Sequence, residues 1–323
     1  MSSRYPLTVG ACVEIAVVER SGFEESRHIG AGIVVDADGQ PVRSVGDAGA
    51  SIYPRSTLKP FQALAARRAG AVFHDAELVL STASHAGTPR HQKVVASMLA
   101  EYGNTEDDLR CPPDFPLDAD SARDAVERRR LAMNCSGKHA AMLAACRVNG
   151  WATASYLDGD HPIQRAVIAE VEGKAGERID HLGVDGCGAP IVPVTLRGLA
   201  TGIASIVSNE HRDETELVDA VRAHPWAIDG DGRPNTAVID TLGIYAKGGA
   251  EGVMTMGVPG VGAVAVKVLD GSMRAATLAA LTLLGSAGMV DGAAARDVIA
   301  RTSSPVLGRG EPVGRIRVGD ALR

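Results

Sequence analysis

Apolar residues near the start of the chain fall in short runs broken by polar turns. Val13-Glu14-Ile15-Ala16-Val17-Val18 is followed by a polar stretch, a run from His28 to Val35, the turn residues Ala37-Asp38-Gly39-Gln40 and a short run through Val42. Runs of this length separated by Asp-Gly chemistry predict a meander of antiparallel strands. The period then changes. Residues 58–69, 90–102, 122–132, 137–148 and 161–175 carry apolar side chains at three- and four-residue steps, which predicts helices. Strand patterns return over 252–258 and 262–269, with Asp270-Gly271 behind them, before an Ala/Leu-rich helix over 275–285.

Strands at both ends around a helical middle predict an α+β fold. One antiparallel sheet is expected from about residues 10–50 and 250–323, with a helical lobe over about 56–245 beside it and a cleft between them. The 323 residues read as a single domain with no repeat, low-complexity tract or linker. The most loop-like stretch is Arg110-Cys111-Pro112-Pro113-Asp114-Phe115-Pro116, because its prolines block both helix and central strand. It is either a surface connection or the edge of a cleft.

Composition narrows the picture in three ways. Only 3% of residues are aromatic, so the core must be built from Ala, Val, Leu and Ile. The net charge of −6, without any basic block, removes the electrostatic footprint of nucleic-acid or anionic-membrane binding. No apolar run approaches the roughly 18 residues of a membrane span, and Met1-Ser2-Ser3-Arg4-Tyr5-Pro6 leads into none, so a soluble, cytoplasmic protein is expected. The five cysteines are unevenly spaced and odd in number, which suits thiols or metal ligands better than a disulfide framework.

Reactive side chains cluster with glycine and turn residues in Ser56-Thr57-Leu58-Lys59, Thr82-Ala83-Ser84-His85-Ala86-Gly87, Asn134-Cys135-Ser136-Gly137-Lys138-His139, Asp185-Gly186-Cys187-Gly188 and Ala246-Lys247-Gly248-Gly249-Ala250-Glu251-Gly252. Ser56 has two readings. As a helix N-cap its hydroxyl would bond the free N–H groups of the first turn. As a nucleophile it would pass its proton to Lys59, its neighbour at i+3, provided burial or a second cation keeps that lysine neutral. The order Ser-x-x-Lys, loop serine, then lysine with glycines behind it is that of serine β-lactamases and penicillin-binding proteins. Ser56 with Lys59, Ser84, and Lys247 fit the nucleophile, its base, a relay serine and a second lysine in turn. Ser84-His85-Ala86 lacks the asparagine of the middle motif.

Together, Arg55-Ser56-Thr57-Leu58-Lys59-Pro60, Ala83-Ser84-His85, Asn134 to His139, Asp185-Gly186-Cys187 and Lys247 to Gly252 resemble the asparaginase II family, the Rhizobium-type class 3 asparaginases. The resemblance runs from about Val13 to the helix over 275–285, and the Asn-Cys-Ser-Gly-Lys-His string is its most specific element. It implies hydrolysis of L-asparagine to L-aspartate and ammonia on a β-lactamase-like fold, in a homodimer. It also implies Ser56 as nucleophile with Lys59 as base, a second pair of Ser84 and Lys247, and one zinc per chain on Cys135, Lys138 and Cys187, with no organic cofactor. The chain differs from the type enzyme at Thr57-Leu58, Gly188 and Gly248-Gly249, positions that bear on substrate preference more than on chemistry.

Five further positions are candidate substrate contacts, each with a plainer alternative. Arg55 suits a substrate carboxylate or solvent. His85 and His139 suit substrate or local packing. Asp185 suits a substrate ammonium or an Asx turn. Gly249 suits an oxyanion-binding N–H or a β-bulge. Two soft thiolates supply only half a tetrahedral zinc site, and without the resemblance Cys135 reads as a buried structural thiol. Rival functions are a glutaminase or another β-lactamase-like amidase or esterase, and a non-catalytic cysteine-based metal or redox protein. The last leaves both serine–lysine motifs unexplained.

Overall fold

The computed structural model describes residues 5–323; the Met1 to Arg4 part of the expected leaderless start lies outside them. Three antiparallel strands open the chain, β1 (Val13–Arg20), β2 (Phe23–Asp36) and β3 (Pro41–Val45), followed by the short β4 (Ser51–Ile52). Six helices follow: α1 (Lys59–Arg68), α2 (Asp75–Thr82), α3 (Pro89–Glu101), α4 (Ala119–Asp124), α5 (Ser136–Asn149) and α6 (Pro162–Ala175). Short strands β5 (Gly183–Val184), β6 (Pro190–Ile191) and β7 (Val194–Thr195) lead to α7 (Leu196–Ile206), α8 (Arg212–Ala223) and α9 (Pro234–Leu242). The chain closes with β8 (Tyr245–Gly249), β9 (Val253–Val258), β10 (Gly262–Val268), α10 (Ala276–Ser286), α11 (Gly292–Thr302), β11 (Val306–Gly308) and β12 (Glu311–Val318).

The main sheet runs β11-β12-β1-β2-β10-β9-β8, with β3 also paired to β2. All its pairings are antiparallel; Val17 faces both Arg317 and Arg27, Ile33 faces Ala265, and Thr255 faces Lys247. Strands from the two ends of the chain therefore interleave, as the sequence pattern predicts for an α+β fold. Both faces of the sheet are covered at β10. Ala263, Val264, Ala265 and Val266 alternate sides and are all fully buried, with α7 and α10 packed on this strand.

Helices α1, α2, α3, α5 and α6 pack on one another as the lobe. Buried charges hold α1 in it: Arg68 pairs with Glu170 of α6 and, at 2.7 Å, with the fully buried Glu214 of α8, which also takes Lys174 at 2.6 Å.

Two expectations need correction. The helix over 122–132 is instead α4, which starts earlier under an Asp118 cap and ends at Asp124. Beyond it Asp114 and Arg129 pair as an isolated antiparallel bridge, pulling those residues into an extended path. The partition into sheet and lobe segments is also less clean: α7 leaves the lobe to pack on the sheet, and α10 and α11 lie inside the segment assigned to strands. Apolar burial on the sheet, rather than local pattern, decides where these helices go. The helix over 275–285 is α10, and α11, β11 and β12 follow it. Among the described residues no helix is long and apolar enough to cross a membrane.

Candidate active site

The open edge of the sheet, β8, meets the start of α1, and most of the candidate chemistry gathers there. A 3-10 turn over Arg55–Leu58 runs directly into α1, and the Lys59 N–H donates to the Ser56 carbonyl. Pro60 follows in the first turn, where a missing N–H is harmless. Ser56 caps nothing: the residues before the turn and before α1 are Pro54 and Leu58, neither with a side-chain cap bond. Arg55 has φ of 53°, a left-handed conformation rare for a non-glycine residue, so backbone strain lies immediately before the candidate nucleophile.

β8 approaches this turn very closely. A Cβ added to Gly249 would lie 2.9 Å from the Pro54 carbonyl oxygen and 3.1 Å from the Ser56 nitrogen. Only glycine lets the strand run so near the serine backbone.

Lys59 is fully buried on α1, and its Nζ lies 2.9 Å from Ser84 Oγ and 3.4 Å from the Asn134 carbonyl, with a further bond to the Ala83 carbonyl. Lys247, fully buried in the middle of β8, places its Nζ 2.8 Å from the same Ser84 Oγ and 2.7 Å from the Gly248 carbonyl. Ser84 lies just past α2, with its N–H donating to the Ile228 carbonyl at 3.0 Å. Burial lowers the pKa of Lys59, with the Lys138 charge adding to it against the raising effect of Cys135. Burial and then the Lys59 charge hold Lys247 well below the usual lysine range. Two amines and one hydroxyl thus form a buried chain in which at least one amine is readily neutral.

Ser56 and Ser84 open onto one cavity of about 370 Å³, also lined by Asn134, Arg233, Gly248 and Gly249. Larger cavities of about 640 and 690 Å³ lie elsewhere and include neither lysine pair.

Cys135 and Cys187 meet beside Lys59 and Lys138, and the Cys135 thiol donates to Asn134 Oδ1 at 3.1 Å. With the Cys135 thiol and the Lys138 charge beside it, the Cys187 thiol is pushed down to about 5. Cys135, buried beside Cys187, is pushed up to about 12. The two thiols hold Lys138 in its charged form despite its burial. Among the described residues no three His, Cys, Asp or Glu side chains cluster as for a metal.

The remaining predicted positions divide. His85 is wholly engaged within the protein: Nδ1 accepts from the Gly87 N–H at 3.1 Å and Nε2 lies 2.9 Å from Ser136 Oγ, fixing the Ser84 loop to the start of α5. His139 Nδ1 lies 2.7 Å from the Tyr156 hydroxyl, which itself accepts from the Arg110 N–H. His139 Nε2 is buried without a partner, and it carries a proton in the tautomer whose Nδ1 accepts from the phenol. Burial, reinforced by the Lys138 charge, pushes His139 down to about 3, so it stays neutral. Asp185 accepts from Arg55 Nε at 2.8 Å and from the Gly186 N–H at 2.9 Å, and Arg55 also lies 3.8 Å from Glu251.

The cavity adds Asp229, Arg233 and Asn235, which the sequence reading missed. Their only signal was the turn-rich string Asp229-Gly230-Asp231-Gly232-Arg233-Pro234-Asn235, with the cadence of an ordinary surface loop.

Among solved structures, the chain is similar to Mglu in its glutamate form, at 15% identity over 80% of this chain and 61% of that one, with a TM-score of 0.45. It is also similar to Mglu in its native form, at 15% identity over 80% and 64%, with a TM-score of 0.43. The chain thus spans less than two thirds of the length of these structures, and likeness at this level says nothing of activity. No curated protein matches the chain. The sequence model of L-asparaginase II matches residues 16–318, nearly the whole length, and the chain belongs to the L-asparaginase II family, which points to amide hydrolysis.

Proposed function

We propose that the chain hydrolyses L-asparagine to L-aspartate and ammonia through an acyl-enzyme on Ser56. The observation that carries this reading is the pair of buried lysines bonded to one serine hydroxyl in a cavity shared with a second serine. The Ser56 hydroxyl makes no hydrogen bond among the described residues and is available to a ligand. Its backbone N–H abuts β8, where a second backbone N–H near Gly249 would help hold the carbonyl oxygen as it gains charge.

Lys59, neutral and one helical turn on, takes the Ser56 proton as the oxygen attacks the side-chain amide carbon. Catalytic hydrogen bonds of this kind tighten only with substrate in place. The tetrahedral adduct collapses, the C–N bond breaks, and the proton passes through Ser84 and Lys247 to the leaving nitrogen as ammonia. Water then adds to the ester and returns Ser56, releasing aspartate. His139 would donate its partnerless Nε2–H to substrate and Asp185 would pair its ammonium, with Arg55 holding Asp185 in place, although neither His139 nor Asp185 lines the cavity as it stands. His85 acts by holding the Ser84 loop.

The residues around Cys187 fit zinc. Cys135, Lys138 and Cys187 converge as a sulfur-rich set that would offer three donors once a metal displaced the Cys135 and Lys138 protons, leaving one tetrahedral position open. Zinc held by Cys135, Lys138 and Cys187 would supply a fixed positive charge that orients the substrate. The Ser-x-x-Lys turn, the loop serine and the lysine on an edge strand support a β-lactamase-like arrangement, and a cytoplasmic homodimer completes the reading.

A second reading makes Ser84 the acylated serine, because both lysines touch it. Ammonia release from L-asparagine and L-glutamine tests the reaction, and peptide mapping of a trapped acyl-enzyme separates the serines. Turnover of asparagine with the label on the Ser56 peptide is expected; a protein that releases ammonia from neither amide is not this enzyme.

A further inference from the structure

We infer that Arg233 is the clamp for the α-carboxylate of the amino-acid substrate, an inference that rests on the reaction proposed above. Arg233 lines the cavity that holds Ser56 and Ser84, with its side chain 38% exposed. One edge of its guanidinium is fixed: Nε donates to Asp229 Oδ1 at 2.7 Å. Asp229 is buried, and its other oxygen accepts from the Asn235 N–H at 3.3 Å and from Asn235 Nδ2 at 3.0 Å. Asn235 Oδ1 in turn accepts from the Gly248 N–H at 2.9 Å, so the arginine is braced against the strand that carries Lys247.

The carboxylate of Asp229 is thus fully occupied, while the two terminal amino groups of Arg233 have no hydrogen-bond acceptor among the described residues. A guanidinium held by Nε presents those two groups as a planar fork, the geometry that binds a carboxylate in bidentate fashion. The start of α9, at Pro234, adds a partial positive charge at the same wall. Of the other anions, Asp118 feels the Arg233 charge but is only half-buried and already accepts from the Ser121 N–H and hydroxyl. Arg55 is the poorer clamp. Its Nε is on Asp185 and its far end faces Glu251, two carboxylates that offset its charge, and it does not line this cavity.

The ligand class is therefore a free α-amino acid amide. Asparagine inside a peptide, whose α-carboxyl is tied up as an amide, is excluded by the same fork.

Calorimetric titration with L-aspartate and with β-alanine, which is aspartate without the α-carboxylate, tests the clamp directly. The wild-type protein should bind aspartate roughly 10- to 100-fold more tightly than β-alanine, the range of a charge-assisted pair, and R233Q should bind the two alike. Equal affinity in the wild type, or a preference that survives in R233Q, overturns the clamp. Should R233Q fail to fold by thermal melting, R233K keeps the Asp229 partner but not the fork; its preference should shrink, and an undiminished preference is equally fatal. Ammonia release from asparagine by the wild type, measured alongside, decides the reaction separately.

Discussion

Lys59 and Lys247 share a single oxygen: their amines lie 2.9 and 2.8 Å from the Ser84 hydroxyl, one reaching it from the lobe and the other from the edge strand of the sheet. Two amines so placed cannot both be protonated without strong repulsion, and their protons belong to the pair rather than to either residue.

The pH–rate profile should report this coupling. The acid limb marks protonation of the neutral lysine and should stand well above the carboxylate range, giving an alkaline optimum. Lys247→Met leaves Lys59 as the one amine to carry the pair's proton, so the acid limb of the residual activity should move upward. A limb that stays put or moves down, with stability checked at each pH, would show that the amines act independently.

Stability should carry the same signature with a definite sign. Both lysines have lowered folded values. Between those values and the ordinary lysine value the unfolded chain binds more protons, so stability rises with pH across that window and the penalty is complete below it. Lys247→Met abolishes one such penalty. Urea denaturation should therefore find the variant gaining on the wild type at pH 7 relative to pH 10; a gain larger at pH 10 contradicts the buried neutral lysine.

Ser56→Ala should cut turnover by about 10³-fold or more, in the range seen when a nucleophile is removed. Its melting temperature should hardly change, since the Ser56 hydroxyl supports no cap. Near-normal turnover in this variant, together with loss in Ser84→Ala, would transfer the nucleophile to Ser84.

Gly249→Ala tests the close approach of β8. The new methyl would meet the Pro54 carbonyl and the Ser56 nitrogen and push the strand away from the serine. A loss of about 100-fold in kcat, comparable to removing one oxyanion donor, is expected with little change in KM. Wild-type kcat would mean that this strand takes no part in holding the oxyanion.

Purified protein should contain one zinc per chain by elemental analysis, and Cys135→Ala should reduce it to background. Metal at background in both proteins would leave Cys135 and Cys187 as a buried thiol pair.

The serines and lysines were legible in the sequence because each stands in a string that joins a reactive side chain to glycine or a turn. Their convergence was legible only in part. The i+3 spacing of Ser56 and Lys59 brings them to one side of a turn, but nothing local says that Lys59 reaches Ser84 instead. Asp229, Arg233 and Asn235 escaped because a buried carboxylate in an Asp-Gly loop has the same composition as an exposed one; only the packing of that loop beside β8 distinguishes them. Helix α8 and strand β12 were missed because their exposed positions are densely charged, which masks the short apolar pattern. The histidines were ambiguous for a different reason: whether a ring nitrogen meets Ser136 or nothing at all depends on contacts far along the chain.

The interleaving of strands from the two ends of the chain has a consequence during synthesis. β2 borders β1 on one side and β10 on the other, and β1 in turn awaits β12. A ribosome adding about 5–20 residues per second has to travel from residue 36 to residue 262 before β2 meets its second neighbour. For something on the order of ten seconds or longer the apolar run Ile33-Val34-Val35 emerges with one edge unpaired. The nascent chain is thus a natural client for a chaperone that binds extended apolar segments.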